Sequence, residues 1–431
     1  MTQTLKTTER LGVVDALRGF ALLAIVLLHN LEHYNLFLPL ECTLPAWLQT
    51  VDKYAWDTMF FLFAGKAYAT FSLLFGFSFY IQFHNAEKRG TDFRGRFAWR
   101  MCLLFLFAQL HALFYNGDIL LLYAVVGFAL IPVCKLKDKA VFWIAVILLL
   151  QPYEWGRAIY AMINPEYVPV TGHYIPFAKL AEEVTATGSF FEVLRSNITD
   201  GQLYSNIWQV ENGRLFQTAA LFMFGMLLGR RKYFMKSEES LRFWKRMLTG
   251  AAIAFIPLHC LRVFVPELIT NPSILVPYKI AVPSYANFAF MIVLVSVFTL
   301  LWFKKDTGYS WQSLLIPYGR MSLTNYISQS IMGVTIYYGF GLAMYKYAGA
   351  TGSLLIALLI FTVQLIFSRW WLARHKQGPL EFLWRKGDLD LVDMKNDERR
   401  ITLQRDSAAS SSFIIQNHTE RNKLKTTGIS D

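Results

Sequence analysis

The sequence is poor in charged residues. Asp, Glu, Lys and Arg make up 17% of its 431 residues, whereas soluble domains carry roughly 25%. The chain is 55% hydrophobic, and many of its apolar runs approach the ~20 residues that cross a bilayer. This argues against the two or three soluble domains that length alone would suggest. We therefore predict an all-α, polytopic transmembrane helical bundle.

The sequence also lacks the patterns that mark common catalytic and metal sites. It has only four cysteines, without metal-ligand spacing, and only Cys42 falls in a predicted outer loop, so we expect neither a disulfide framework nor a metal site. A Gly-rich phosphate loop, a GxSxG elbow and an HExxH helix are all missing. Hydrolases of these motif types and metal enzymes are poorly supported, and no bound cofactor is expected.

The net charge of +12 does not indicate a nucleic-acid partner. The basic residues lie in short loops between apolar runs, as cytoplasmic loops do under the positive-inside rule. We therefore expect the lipid bilayer to be the main partner. The loops predict about ten spans with both termini inside: 11–31, 66–83, 97–115, 118–134, 139–156, 214–230, 247–265, 284–303, 313–342 and 351–372. A break at Gly65-Lys66 separates the second span from a short entry helix that begins near Trp56.

The predicted spans divide the chain into five regions. Two five-span membrane regions flank an extracytoplasmic region in which amphipathic helices are expected. The last region is rich in Ser, Asn, Lys and Thr, which is typical of disorder. The regions are a cytoplasmic N-terminus, 1–10; the first membrane region, 11–156; the extracytoplasmic region, 157–213; the second membrane region, 214–385; and a cytoplasmic tail, 386–431.

The first predicted span contains charge that the bilayer would penalise. Residues 11–30 read LGVVDALRGFALLAIVLLHN. Arg18 and His29 are eleven residues apart, which places both on one helix face about 16 Å apart along the axis. Asp15 lies three residues before Arg18 and can pair with it. Alternatively, Arg18 snorkels to the headgroups, Asp15 neutralises it, and His29 sits at the outer interface.

A second polar group lies around the turn after the third predicted span. Arg100 and His111 repeat the spacing of Arg18 and His29, and Asp118 follows the turn. A carboxylate beside an imidazole fixes its tautomer and makes it a better base. The alternative is a histidine that only ties two helices together.

The ninth predicted span is unusually polar, reading GRMSLTNYISQS. Several of its polar residues recur at three- and four-residue steps, so part of the set shares a helix face, directed at a cavity or a polar network. These residues are Arg320, Ser322, Asn325, Tyr326 and Gln329. Lys66, at the break before the second span, is suited to bind a phosphate or a carboxylate, or to snorkel.

Three N-terminal segments resemble the bacterial YeiB family: VDALRGFALLAIVLLHN, GKAYATFSLLFGFSF and RMCLLFLFAQLHALFYNGDILLLYAVVG. PYGRMSLTNYISQS and GPLEFLWR resemble that family's domain of unknown function 418. These matches are distributed over residues 11–385. The resemblance implies a multi-pass protein of the bacterial inner (plasma) membrane.

The first span is also similar to the opening helix of the acyltransferase-3 family, in which an Arg or Lys is followed after ten residues by a His. The same grouping includes the lysosomal heparan-glucosaminide acetyltransferase type. By this resemblance Arg18 and His29 correspond to the essential pair. It implies transfer of an acyl group from a cytoplasmic thioester, commonly acyl-CoA, to an envelope sugar, lipid or small-molecule hydroxyl. Many YeiB relatives lack a histidine at the position of His29, which makes His111 a competing candidate.

Our first hypothesis is therefore a membrane-bound O-acyltransferase. His29 or His111 would be the base, with Asp118 orienting His111. The candidate substrate-binding residues are polar groups in or beside predicted spans: Asp15, Arg18, Lys66, Arg100, Arg320, Asn325 and Gln329. A transporter or flippase of a small solute or lipid-linked molecule is the alternative, and a scaffold or sensor subunit is a third. The sequence gives no oligomeric state.

Overall fold

The computed structural model describes residues 11–164, 166–168, 171–304 and 311–388, and every regular element in these ranges is helical. This confirms the all-α class. The predicted N-terminus and nearly all of the predicted tail lie outside the described residues. The α-helices, in chain order, are α1 (Gly12–Leu31), α2 (Ala46–Phe63), α3 (Ala67–Glu87), α4 (Arg94–Ala112), α5 (Leu120–Gly127), α6 (Leu130–Val133), α7 (Asp138–Leu149), α8 (Pro152–Ile163), α9 (Ile175–Thr187), α10 (Phe190–Ser196), α11 (Gln202–Glu211), α12 (Arg214–Arg230), α13 (Glu238–Phe264), α14 (Pro272–Lys304), α15 (Ile316–Arg320), α16 (Ser322–Tyr337) and α17 (Ala350–Leu372).

Helical segments in the described part of the chain are long and apolar enough to cross a membrane, as expected of a membrane protein. They match the first, second, seventh, eighth and tenth predicted spans. Five such segments are found: Gly12–Leu31, Ala46–Glu87, Glu238–Glu267, Pro272–Lys304 and Ala350–Leu372. The helix α13 continues through Pro257 and α14 through Pro277 and Pro283, which neighbouring helices in a membrane bundle can tolerate.

The helix α1 lies at the centre of the bundle and packs against α2, α3, α15, α16 and α17. Leu17 and Leu22 are completely buried. The close approach of α1 to α15 and to the turn before it depends on glycine. A Cβ on Gly319 of α15 would overlap the backbone oxygen of Asp15, and one on Gly19 would overlap that of Leu315. Small residues at helix crossings are the usual means of packing helices in membranes.

The predicted break at Gly65-Lys66 is present between α2 and α3. Gly65 has φ +77°, a left-handed conformation that glycine adopts without a steric penalty. The entry helix is longer than predicted, since α2 begins at Ala46 rather than near Trp56. Pro45 directly precedes it, and its fixed φ suits the start of a helix.

Two predicted spans are interrupted where proline prevents a continuous helix. Within 118–134, α5 ends at Gly127 and α6 starts at Leu130, because Pro132 has no N–H and its ring clashes with the carbonyl four residues earlier. Within 139–156, α7 ends at Leu149 and Gln151 is left-handed, with φ 54°. Pro152 disfavours helical geometry at that residue.

The predicted helix 313–342 is likewise not continuous. A 3₁₀ turn, α15 and α16 follow one another, with the break between the last two at Met321. Glu381 stabilises the start of α16, because its carboxylate accepts backbone N–H groups of Leu323 at 2.7 Å and Thr324 at 3.1 Å. This cap comes from a distant part of the sequence.

The predicted extracytoplasmic region, 157–213, is largely helical. It contains the end of α8, then α9, α10, a π-helical turn at Asn197–Gly201, and α11. Ser189 begins α10 with a capping box, accepting the N–H of Glu192 while the Glu192 carboxylate accepts the N–H of Ser189. The described residues up to Glu381 belong to one compact unit, and those from Phe382 onward belong to a second. In the second, the described residues 382–388 are helical.

Candidate functional site

A cavity of about 550 Å³ lies at the C-terminal end of α1. Its walls come from the break between α2 and α3, the turn between α4 and α5, and the helices α11, α12 and α16. The site residues predicted from the sequence that line it are His29 and Asp118. Glu32, Tyr115 and Arg214 also line it. The cavity thus combines an imidazole, carboxylates, a phenol and a guanidinium between apolar walls.

His29 is held at the cavity wall by one ring nitrogen. Its Nδ1 lies 3.1 Å from the hydroxyl of Tyr115, and 3.6 Å from a carboxylate oxygen of Glu32. The imidazole side chain is 17% exposed, and its Nε2 makes no hydrogen bond with a described residue. When Nδ1 carries the proton, the Tyr115 hydroxyl accepts from it, the Glu32 carboxylate lies nearby, and Nε2 is the nitrogen with a free lone pair.

The chain turns sharply after His29. His33, Tyr34 and Asn35 have φ of 44°, 56° and 69°, which is left-handed backbone at three successive non-glycine residues. Such residues cost of order 1–3 kcal/mol each unless their surroundings hold them. Here the Tyr34 hydroxyl donates to the Gln329 carbonyl at 2.9 Å, and the Asn35 amide donates to Asn116 at 3.0 Å. No local pattern in the sequence predicted this turn, which positions the end of α1.

His111 and Asp118 form the predicted pair, with 2.9 Å between His111 Nδ1 and the Asp118 carboxylate. Asp118 also accepts the backbone N–H of Leu120 at 3.0 Å and so caps α5. The side chain of His111 is fully buried. Its ring packs against Tyr115 and Tyr326, with centroids 6.0 and 5.2 Å away. His111 therefore does not line the cavity but packs behind two tyrosines that do.

Arg214 was missed by sequence reasoning because it stands at the start of a span, where basic residues are common. Its guanidinium lies 4.1 Å from the ring centroid of Tyr68 and 5.4 Å from that of Trp208, both favourable cation–π geometries. It forms no ion pair with a described residue. Its acidic neighbour Glu211 instead accepts the backbone N–H of Gly172 at 3.0 Å.

Tyr204 on α11 adds a protonated phenol to the cavity lining. Burial, followed by the nearby carboxylate of Glu32, raises the pKa of Tyr204 to about 12. The hydroxyl therefore remains a hydrogen-bond donor at neutral pH.

The predicted pair of Asp15 and Arg18 forms, but it does not line the cavity. Arg18 Nη1 lies 2.6 Å from the Asp15 carboxylate, and Nη2 donates to the Ser78 hydroxyl on α3 at 2.5 Å. Asp15 is 3% exposed. The pair joins α1 to α3 about three helical turns from His29.

The other predicted substrate-binding residues are also outside the cavity lining. Arg100 lies on α4 about three turns from His111. Arg320 donates to the Lys376 carbonyl at 3.0 Å. Asn325 donates to the Tyr318 carbonyl at 2.9 Å, and its network joins α15, α16 and α17. The structure does not bring these residues together with His29.

Gln329 and Lys66 are both buried and do not line the cavity, although residues close to them in the sequence do. Gln329 is 0% exposed, and its side-chain amide has no partner within the described part of the chain. Lys66 is 2% exposed and lies at the break whose neighbours Gly65 and Ala67 line the cavity. Its ammonium points elsewhere, toward the rings of Phe61 and Phe290.

A larger groove of about 690 Å³ runs between α7, α12, α13 and α14. Its lining is apolar except at one end, where Asp138, Lys139 and Arg231 lie. It includes no predicted site residue. Groups that could hold a metal ion, with three or more His, Cys, Asp or Glu side chains, are not found among the residues searched, those that the structure describes.

Together, the apolar helices and the central polar cavity define a helical membrane protein. Residues 228–389 match the family described as "Protein of unknown function (DUF418)". The chain is 28% identical over 400 residues to the uncharacterized protein YxaH of Bacillus subtilis, a match that covers 88% of this chain and 94% of that protein. It is 27% identical over 399 residues to the uncharacterized protein YeiB of Escherichia coli, covering 88% and 96%.

A third relative is an uncharacterized 39.9 kDa protein in the amylase 3' region of Bacillus acidopullulyticus. It is 29% identical over 381 residues, which is 88% of this chain and 93% of that protein. No solved structure matches. The chain is thus similar to YxaH and YeiB over most of its length and matches DUF418 at residues 228–389, which supports the YeiB-like family that its motifs predicted.

Proposed function

We propose that this protein is a membrane-embedded O-acyltransferase whose general base is His29. In this proposal it crosses the bacterial inner membrane about ten times with both termini in the cytoplasm. The five regions predicted from the sequence lie on the sides of the membrane assigned to them there, and the cavity opens to the extracytoplasmic side. An acyl-CoA or similar thioester is the donor, and an envelope sugar, lipid or small-molecule hydroxyl is the acceptor.

One observation supports this proposal above the others: His29 lines a cavity large enough for a small substrate, and its Nε2 forms no hydrogen bond with a described residue. With the proton on Nδ1, where the Tyr115 hydroxyl accepts it and the Glu32 carboxylate lies nearby, Nε2 is the basic atom. A base must reach the proton that it removes, and His29 alone among the two candidate histidines lines the cavity.

The proposed reaction balances without a redox partner. Nε2 of His29 removes the proton of the acceptor hydroxyl as its oxygen attacks the thioester carbonyl. The tetrahedral intermediate then expels the thiolate, which takes the proton back from His29. The products are an ester and a free thiol.

Arg214 is placed to stabilise negative charge in the same cavity. Its guanidinium has aromatic contacts but no ion pair with a described residue, so it can donate to an oxyanion or to an acidic group on the substrate. The cations on the other helices, Arg18, Arg100 and Arg320, remain our candidates for the donor phosphates. Asp15, Asn325 and Gln329 would then hold their helices around the donor's path.

In this proposal His111 and Asp118 are positioning residues. Their pair closes the turn between α4 and α5, and His111 packs against Tyr115, the neighbour of His29. Loss of His111 should therefore reduce the amount of folded protein more than the activity of each folded molecule. Loss of His29 should do the opposite.

The experiment is mass spectrometry of envelope lipids and glycans from cells that lack the protein. Complementation would use wild type, His29→Ala, His111→Ala and, as a matched control, His84→Ala at the end of α3. We expect an acyl-sized mass to disappear in the deletion and to return with wild type and His84→Ala. General bases contribute about 10²–10⁴-fold in rate, so His29→Ala at normal membrane level should not restore it.

An unchanged covalent profile in the deletion would contradict acyl transfer. It would favour the second candidate, a transporter or flippase. That candidate is supported by the helix break at Gly65, because residues 64–65 line the cavity and interrupted helices form the binding sites of many transporters. Uptake or flipping of a labelled lipid-linked sugar in vesicles, without formation of a thiol product, would identify it.

A further inference from the structure

Lys66 is a buried lysine that has no counter-charge among the described residues. It is 2% exposed, and its ammonium forms neither a hydrogen bond nor an ion pair with them. The ammonium faces two aromatic rings: Nζ lies 5.9 Å from the ring centroid of Phe61 and 5.7 Å from that of Phe290. Buried charges in proteins are normally paired, because an isolated one is costly.

A second cation lies beside it. Arg262 on α13 donates to the Asn287 side chain at 3.2 Å, and the side chain of Asn287 packs directly against Gly65, the residue before Lys66. Arg262 also forms no ion pair with a described residue. Two basic side chains beside one amide, neither of them paired with a described carboxylate, favour an anion between them.

His259 supplies a third polar group. Its ring packs against Phe61, the same ring that Lys66 faces, with centroids 5.7 Å apart. Its Nδ1 is buried and lacks a hydrogen-bond partner in the described part of the chain. This nitrogen can donate to an oxygen anion when it carries the proton.

The surroundings indicate what carries the anion. Leu261, Val263 and Phe264, next to Arg262, are 43%, 45% and 63% exposed, on a helix that is apolar enough to face lipid. A molecule that reaches Lys66 from this side must itself be amphiphilic. Arg and Lys clusters between membrane helices are suited to phospholipid headgroups.

We propose that Lys66, Arg262, Asn287 and His259 form a binding site for a phosphate group, presented by an anionic phospholipid at the junction of α2, α3, α13 and α14. Lys66 and Arg262 contact the phosphate oxygens, Asn287 holds Arg262 in place, and His259 donates through Nδ1. The site is distinct from the His29 cavity, whose lining includes none of these four residues. It does not depend on acyl transfer.

The test is isothermal titration of the full-length protein in neutral detergent with short-chain phosphatidylglycerol. Inorganic phosphate is titrated in parallel to distinguish a free ion from a lipid, and a short-chain diacylglycerol reports binding without phosphate. We expect phosphatidylglycerol to bind, and Lys66→Met and Arg262→Gln each to weaken it at least 10-fold. Lys53→Met, an exposed lysine on α2, is the matched control and should bind as wild type does.

Arg262→Gln changes an exposed side chain, so its result is informative even where Lys66→Met fails to fold. Binding of inorganic phosphate with the same variant pattern would support the phosphate site and assign it to the free ion. Equal binding by wild type and variants, equal binding of diacylglycerol, or no binding of either phosphate compound would overturn the proposal. The acyltransferase proposal is tested with His29→Ala, and the phosphate site is tested with the Lys66 and Arg262 variants. Either proposal can therefore fail without the other.

Discussion

The helices α1 and α13 contain apolar windows of the same mean hydropathy, yet they occupy opposite environments. In α1, 61% of the window is buried by protein; in the segment that contains α13, only 6% is. The difference lies in their polar residues. In α1, Arg18 bonds both Asp15 and Ser78 of α3, His29 contacts Tyr115, and Asn30 contacts Tyr34 in the turn that follows the helix.

The charged residues of α13, in contrast, are all exposed. Glu238, Glu239 and Arg242 lie in its first turns, and Arg262 lies in its last turn. Its middle residues, such as Ile253 and Ile256, are 65% and 66% exposed. Hydropathy therefore reports that a helix suits a membrane, whereas intramembrane polar residues report that it faces other helices. Three pairs of substitutions test this difference, from the largest expected effect to the smallest.

The largest effect is expected from shortening a leucine. Leu22 of α1 is 0% exposed and Leu261 of α13 is 43% exposed. Leu22→Ala should leave a cavity and lower the free energy of unfolding by about 2–5 kcal/mol. Leu261→Ala should change it by less than about 0.5 kcal/mol. Reversible unfolding in mixed micelles measures both, and similar losses for the two variants would remove the distinction between the helices.

The next largest difference in stability between variants of the two helices is expected from an added methyl group. Gly19→Ala places a Cβ against the Leu315 backbone, whereas nothing lies within 4 Å of a Cβ on Gly250. We expect Gly19→Ala to destabilise by about 1–3 kcal/mol through overpacking. Gly250→Ala should instead stabilise α13, by up to about 1 kcal/mol, because alanine favours the helix. The same unfolding assay applies, and a stabilising Gly19→Ala would contradict the close crossing of α1 and α15.

The smallest effect concerns how the two helices begin. Ser237 caps α13, since its hydroxyl accepts the N–H of Ser240 at 3.0 Å, whereas Leu11 before α1 has no side-chain cap. Ser237→Ala should cost about 1 kcal/mol, and Ser237→Asp should retain the cap. Hydrogen exchange at the amides of Ser240 and Leu241 should accelerate in the alanine variant alone. Unchanged exchange would mean that tertiary contacts, rather than the cap, fix the start of α13.

Local sequence signals were sufficient for several elements of the candidate site. The pairing of Asp15 with Arg18 followed from a three-residue spacing, and Gly65 was evident as a break in an apolar run. The closeness of His111 and Asp118 followed from a tight turn between two helices. In each case the residues are near in sequence, so helix geometry or a short turn brings them together.

Other contacts were beyond such reasoning because they join distant segments. Tyr115 meets His29 across 86 residues, and Glu381 caps α16 from 58 residues away. The breaks at Pro132 and Pro152 had a sequence signal that hydropathy concealed, since both prolines lie in or beside apolar runs. Arg214 had no sequence signal, because basic residues are common where a span begins or ends.

The sequence by itself determined that this chain is helical, suited to a membrane and similar to YeiB, because apolar runs and family motifs are local properties. Only the tertiary structure decided which of the equally apolar helices is central, and that His29 rather than His111 lines the cavity. The tertiary structure also placed Lys66 near Arg262 rather than in the cavity that His29 lines. These outcomes depend on which helix faces meet, and no periodicity within one segment specifies its partner.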